Sequence, residues 1–169
     1  MATESHIESG AAVSDPDRQS AVWFLGGLLL VRADGAHTGG RLAVIEHVAR
    51  RGYRAPLHVH AVDDETFLVM EGTLRVVCDG VEHVLEPGAL AVLPKGSRHA
   101  FVVTSDGARF LTLNQPAGFD DFVGEVGVPA PQRVLPAPLE GPPAPEALEE
   151  LAAAARRHGI TIVGPPPEL

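Results

Sequence analysis

His58, His60, Glu65 and His99 have the side-chain types and the spacing to hold one divalent metal ion. His58 and His60 are separated by a single residue. In a strand, residues i and i+2 project from the same face, with backbones ~6.6 Å apart at about 3.3 Å rise per residue. Two imidazoles so placed can converge on one ion. Ala61 to Asp64 read as a turn, and Glu65 opens the next strand, where its carboxylate can enter the same sphere. The segment from Gly88 to His99 (GALAVLPKGSRH) supplies a strand, a Pro94-Lys95-Gly96 turn and a candidate fourth ligand, His99, at the start of another strand. Three neutral imidazoles and one carboxylate suit Fe, Ni, Co, Mn, Cu or Zn and leave one or two positions open for water or substrate. His37, His47 and His83 lack such company and read as satisfied core or surface histidines.

The elements that must position these ligands are short strands. Turn signals stand at Asp34-Gly35, Gly39-Gly40, Asp79-Gly80, Pro87-Gly88, Pro94-Lys95-Gly96 and Asp106-Gly107. Between them lie apolar runs at Leu42–Val48, Leu57–His60, Glu65–Met70, Thr73–Cys78, Val81–Leu85, Ala89–Leu93, His99–Thr104 and Arg109–Leu113. Strands at this spacing predict an all-β sandwich or barrel, and helical periodicity is absent between Val22 and Gln115. Alternation from Glu65 turns Phe67 and Val69 inward, and alternation from His99 does the same for Phe101 and Val103. These four read either as the walls of an apolar substrate pocket or as plain core packing.

The flanks read differently. Residues 1–18 are polar and aperiodic and form an N-terminal arm that includes His6. The barrel is expected over 19–116 and a C-terminal extension over 117–169. In that extension, Gly118–Val123 forms a short helix with Phe119 and Phe122 on one face, and Pro129 to Pro145 runs as a Pro-rich connector. Residues 145–158 form a helix, with Pro145 in its first turn, acidic residues near its start, and Arg156, Arg157 and His158 near its end. Ile160–Val163 is a short edge strand.

With 13 basic and 22 acidic residues the net charge is −9, which repels phosphate backbones and anionic lipid, so neither nucleic acid nor membrane is an expected partner. The lone cysteine, Cys78, excludes an internal disulfide and reads as a buried strand thiol. The apolar run Ala21–Val31 is too short to span a bilayer, and the polar, acidic residues before it do not read as a leader. The expected location is the cytoplasm. Ala21–Val31 serves either as an internal barrel strand or as the edge of a homodimer.

The motif spacing resembles that of the cupin family. The first cupin motif is Gly, five residues, His-x-His, three or four residues, Glu, six residues, Gly. Gly52, His58, His60, Glu65 and Gly72 follow it without a gap. Asp64 also fits the looser part of that spacing, but only Glu65 completes the six-residue step to Gly72. The second motif appears as Gly88, Pro94, Gly96 and His99, with Val103 where the family carries Asn. The resemblance covers roughly residues 40–115. It implies a double-stranded β-helix, or jelly-roll barrel, with His58, His60, Glu65 and His99 as metal ligands. Asp63 and Asp64 are then exposed turn residues. Val103 in place of Asn implies a more hydrophobic interior.

A finer resemblance, through Trp23-Phe24-Leu25-Gly26 and the helix before Arg157-His158-Gly159-Ile160, is to bacterial single-domain cupins related to quercetin 2,3-dioxygenase. It implies a metal-dependent dioxygenase acting on a flavonol or similar aromatic, enolisable compound, with dioxygen as co-substrate and Glu65 as catalytic base as well as ligand. Such cupins often form homodimers. Two other functions fit the same residues: a non-oxidative cyclase or isomerase of polyketide-type metabolism, and a small-molecule-binding cupin without catalysis.

Overall fold

The computed structural model describes residues 10–169, so residues 1–9, with His6 and half of the expected arm, lie outside the described residues. The inner end of the arm makes one 3-10 turn, Pro16–Arg18. The Arg133 guanidinium donates to the carbonyls of Pro16 and Gln19, which ties this turn to the Pro-rich connector.

Turn chemistry sets the strand ends. Asp79 and Gly80 both adopt positive φ, 47° and 81°, the backbone a two-residue hairpin requires. They join β6 (Leu74–Cys78) to β7 (Val81–Leu85) with Cys78 opposite Val81. The same geometry recurs at Leu25 and Gly26, with φ of 51° and 86°. The run Ala21–Val31 is therefore a hairpin of β1 (Ala21–Phe24) and β2 (Gly27–Ala33), not one strand. Leucine is not a turn signal, so composition hides this break. A single helical turn, α1 (Gly35–Thr38), follows where the sequence predicts no helix. Asp34 caps it by accepting from the His37 amide at 2.8 Å.

The remaining strands are β3 (Ala43–Arg50), β4 (Arg54–His60), β5 (Asp64–Glu71), β8 (Leu90–Leu93), β9 (Arg98–Val103) and β10 (Gly107–Gln115). A second helix, α2 (Phe119–Val126), leads to the two-residue strand β11 (Val128–Pro129). After the connector come α3 (Pro145–Arg157) and β12 (Ile160–Gly164). The strands form two antiparallel sheets, ordered β11-β1-β2-β3-β10-β5-β8 and β12-β4-β9-β6-β7. From β3 to β6 the chain changes sheet at every step, and again at β8, β9 and β10. This is the jelly-roll winding of a double-stranded β-helix. The hairpin β1–β2 is internal to its sheet, because β11 covers Val22 and Trp23 on the outer side.

Between the sheets, Phe67, Phe110, Leu74, Val76, Val69 and Val103 are all but fully buried. Gly72 is needed where β5 ends. Its φ is +79°, and a Cβ there would stand 2.2 Å from the Gly107 carbonyl oxygen. Cys78, expected to be buried, is only partly so, at the end of β6. Among the described residues no helix is long and apolar enough to cross a membrane.

Candidate metal centre

Two neighbouring strands and one from the opposite sheet bring the four ligands together. His58 and His60 project from the same face of β4, and His99 lies directly across from His58 on β9. Glu65 comes from β5 in the facing sheet. One ligand atom from each lies within 4.8 Å of all the others, and all four residues are buried. His99 Nε2 is 3.2 Å and His60 Nε2 3.9 Å from Glu65 Oε2.

The tautomer of each imidazole follows from its other nitrogen. His58 Nδ1 meets the Pro56 carbonyl at 2.7 Å, His60 Nδ1 meets Asp63 Oδ2 at 2.9 Å, and His99 Nδ1 meets the Ser97 carbonyl at 3.2 Å. Carbonyls and ionised carboxylates only accept, so each Nδ1 carries a hydrogen, and Nε2 is the nitrogen that presents a lone pair when the ring is neutral. Nε2 of His60 and of His99 is buried without a hydrogen-bond partner. Orphaned nitrogens that converge on a carboxylate are the donor set of a divalent transition-metal site, and the residues fit such an ion.

Asp63 is not the exposed turn residue expected. It is buried and accepts from both His60 and the Asn114 side-chain amide, the latter at 2.8 Å. Asn114, on β10, also reaches Glu65 Oε1 at 3.4 Å, so one amide steadies both carboxylates. Asp64 is exposed and accepts from the Lys95 amide, so it is Glu65 that stands with the three histidines. Replacing Asp63 with Ala is expected to weaken metal affinity about 10- to 100-fold, measured by competition with a chelator. Unchanged affinity would show that His60 needs no support from it.

Charge at the centre is set by burial and by neighbours. Burial alone would raise the Glu65 carboxyl, but the imidazoles of His60, His99 and His58 outweigh it and hold the group below the usual carboxylate range. Burial, helped by the nearby His99 ring, lowers His58 to about 4. Burial likewise lowers His47 to about 4. For His60 burial acts downward too, but the Asp63 hydrogen bond and the Glu65 charge prevail and raise it.

The signs give a pH dependence for the metal-free protein. His58 and His47 titrate lower folded than unfolded, so the unfolded chain takes up protons first. Their stability is complete above the ordinary value of 6.5 and drains as pH falls toward 4. Glu65 adds to the loss below its ordinary value of 4.5. His60 opposes it, because stability from a raised group is present below 6.5 and lost at higher pH. The melting temperature of metal-free protein is expected to fall between pH 6.5 and 4. Each tenfold difference in proton affinity between the folded and unfolded chain is worth about 1.4 kcal/mol. Thermal melts that stay level across that window would contradict the assignment of two neutral buried histidines.

A cavity open to solvent is lined by His58 and Glu65. Phe24, Leu25, Phe101, Phe119 and Phe122 wall it, and α3 and β12 add Leu151, Ala155, Ile160 and Ile162. Phe101 is the pocket residue, of the four expected, that lines this space, while Phe67, Val69 and Val103 lie buried in the core. The C-terminal helix thus forms part of the cavity wall. His158, at its end, meets Glu125 Oε2 at 2.6 Å, a contact between helices rather than a ligand role. His47, expected as a satisfied histidine, is hydrogen-bonded at both nitrogens but also lines the cavity, together with Tyr53 and Thr112. No motif marks these three, because β3, the turn before β4, and β10 meet only in the fold.

A jelly-roll barrel with this histidine and glutamate set in its mouth defines a cupin. Residues 44–114 match the cupin domain family, and the chain is a cupin-superfamily protein that resembles quercetinase-like proteins. It is 28% identical over 99 residues to quercetin 2,3-dioxygenase of Bacillus subtilis (strain 168), a match over 59% of this chain and 29% of that protein. The chain thus spans well under half of that relative's length. KdgF from a Halomonas species shares the fold, with a TM-score of 0.57 and 21% identity over 64% of this chain and 98% of that one. A cupin-superfamily sugar phosphate isomerase from Silicibacter pomeroyi superposes with a TM-score of 0.53 and 26% identity, over 62% of this chain and 76% of that one.

Proposed function

We propose that the protein is a metal-dependent dioxygenase of the quercetinase type, acting on a flavonol or a similar enolisable aromatic compound. The observation that carries this reading is the aromatic and aliphatic wall of the cavity that ends at His58 and Glu65. A sugar would leave its hydroxyls unpartnered along Phe24, Phe101, Phe119 and Phe122, which costs free energy. A flat aromatic frame covers the same surfaces. The similarity to the Bacillus subtilis dioxygenase supports the same substrate class.

His58, His60, Glu65 and His99 would hold a divalent ion, which would supply Lewis acidity to a bound hydroxyl. Glu65 is buried beside that position, which places its carboxylate to take the hydroxyl proton. Asn114 donates to Glu65 Oε1 and keeps the carboxylate aimed. The phenylalanines of α2 and the aliphatic residues of α3 and β12 exclude water from the ionised substrate.

Protein loaded separately with Fe, Ni, Co, Mn, Cu and Zn is expected to consume quercetin under oxygen with at least one metal and to release carbon monoxide. Loaded protein that is inert with every metal would sink this substrate. Turnover of an enolisable carbonyl compound under argon would instead favour the cyclase or isomerase reading, and binding without turnover the non-catalytic one.

A further inference from the structure

Three linked polar side chains inside the barrel take no part in the ligand set. His47 on β3 meets Tyr53 Oη at 3.3 Å through Nδ1 and Thr112 Oγ1 at 3.0 Å through Nε2. All three are buried, and all face the same cavity as His58 and Glu65. Thr112 stands two residues from Asn114 on β10, on the same inward face. His47 is fixed by stacking on Phe110, with ring centroids 4.6 Å apart and planes 10° from parallel. Tyr53 leans on Phe101 at 5.7 Å. Its ring fits because residue 27 is glycine, since a Cβ there would stand 2.7 Å from Tyr53 Cε2.

Counting hydrogens shows what the group lacks. Burial keeps His47 neutral, so its ring carries one N–H. With that hydrogen on Nδ1, His47 donates to Tyr53 and accepts from Thr112, and the Tyr53 hydroxyl hydrogen is unused. With it on Nε2, Tyr53 donates to His47, and the Thr112 hydroxyl hydrogen is unused. In either tautomer one hydroxyl hydrogen has no acceptor within the group. A buried donor left unpaired is costly, and the open side of this group is the cavity.

We infer that His47 carries its hydrogen on Nδ1, so that Tyr53, whose hydroxyl hydrogen is then free, recognises a carbonyl oxygen of the bound molecule. The ligand class is a planar aromatic compound with two oxygens. A hydroxyl points to the His58 and Glu65 end, and a ring carbonyl accepts from Tyr53. The hydroxyl's position rests on the function proposed above, whereas the carbonyl's rests on the three linked side chains.

The test is binding under argon, which separates recognition from turnover. Fluorescence titration of the protein as purified compares quercetin with catechin, a flavonoid that lacks the ring carbonyl. Tyr53→Phe is expected to weaken quercetin about five- to tenfold and to leave catechin unchanged. Gly27→Ala displaces the ring while keeping its hydroxyl, and the same selective loss is expected. Equal quercetin affinity in wild type and Tyr53→Phe overturns the assignment, as does an equal loss for both flavonoids. Selective weakening without turnover in oxygen leaves Tyr53 in its role and removes the dioxygenase reading. Turnover with unchanged affinity in Tyr53→Phe does the reverse. Wild-type protein that binds no quercetin removes both.

Discussion

Purified His60→Ala protein is expected to contain less than about a tenth of the metal found in wild type, against about one ion per chain. His60 supplies one of the buried Nε2 atoms that lack any other partner, and the remaining ligands come from three separate strands. Removing it also takes from Asp63 the imidazole hydrogen it accepts, so a buried carboxylate keeps only Asn114. The effect extends to stability. An ion present at a thousand times its dissociation constant stabilises the folded state by about 4 kcal/mol. Chelation should therefore lower the melting temperature of wild type and leave that of His60→Ala almost unmoved. Elemental analysis and paired thermal melts decide this, and full metal content in the variant would undo the four-ligand site.

Replacing Phe110 with Ala is expected to destabilise the fold by about 3–5 kcal/mol, the range for emptying a large aromatic site in a core. Phe110 has no exposed surface. It stacks on His47, lies 5.8 Å from Phe67 and packs edge-on against Phe101 at 5.5 Å. Its strand, β10, is hydrogen-bonded on both sides, which keeps the surrounding backbone from closing over the void. Val84→Ala, at a side chain 62% exposed on β7, serves as the comparison and should cost under about 0.5 kcal/mol. Urea melts with equal slopes would make the difference a statement about stability. A loss near that of Val84→Ala would mean that the barrel interior repacks.

The candidate ligands are legible in the sequence in two ways: the His58–His60 pair through local strand geometry, and Glu65 and His99 through the motif spacing. A His-x-His pair in a strand faces one way whatever surrounds it, and turn glycines mark where the neighbouring strands begin. Asp79-Gly80 announces its hairpin by composition. Leu25-Gly26 adopts the same backbone without announcing it, so two strands look like one. Asp63 is hidden for a different reason. An aspartate before a strand is usually solvated, and its burial depends on an Asn114 amide from a strand far along the chain. His47 is the clearest case. Its role as hydrogen-bonded core is readable, but its presence in the cavity wall depends on Tyr53 from the turn before β4 and Thr112 from β10. The helix of the extension is visible from its composition, whereas its place in the cavity wall depends on β12 pairing back to β4.

That pairing bears on assembly. Ile160 lies opposite His60, and Ile162 opposite His58, across roughly a hundred residues of chain. Contacts so distant in sequence form late and slow the search for the native state. Until they form, the strand that carries two histidine ligands is the bare margin of its sheet, with unpaired amides and carbonyls on its outer side. A chain cut before β12 would keep every ligand and still expose that margin to other chains. Its characteristic failure would be self-association, at a rate that climbs with protein concentration, before any loss of affinity for metal.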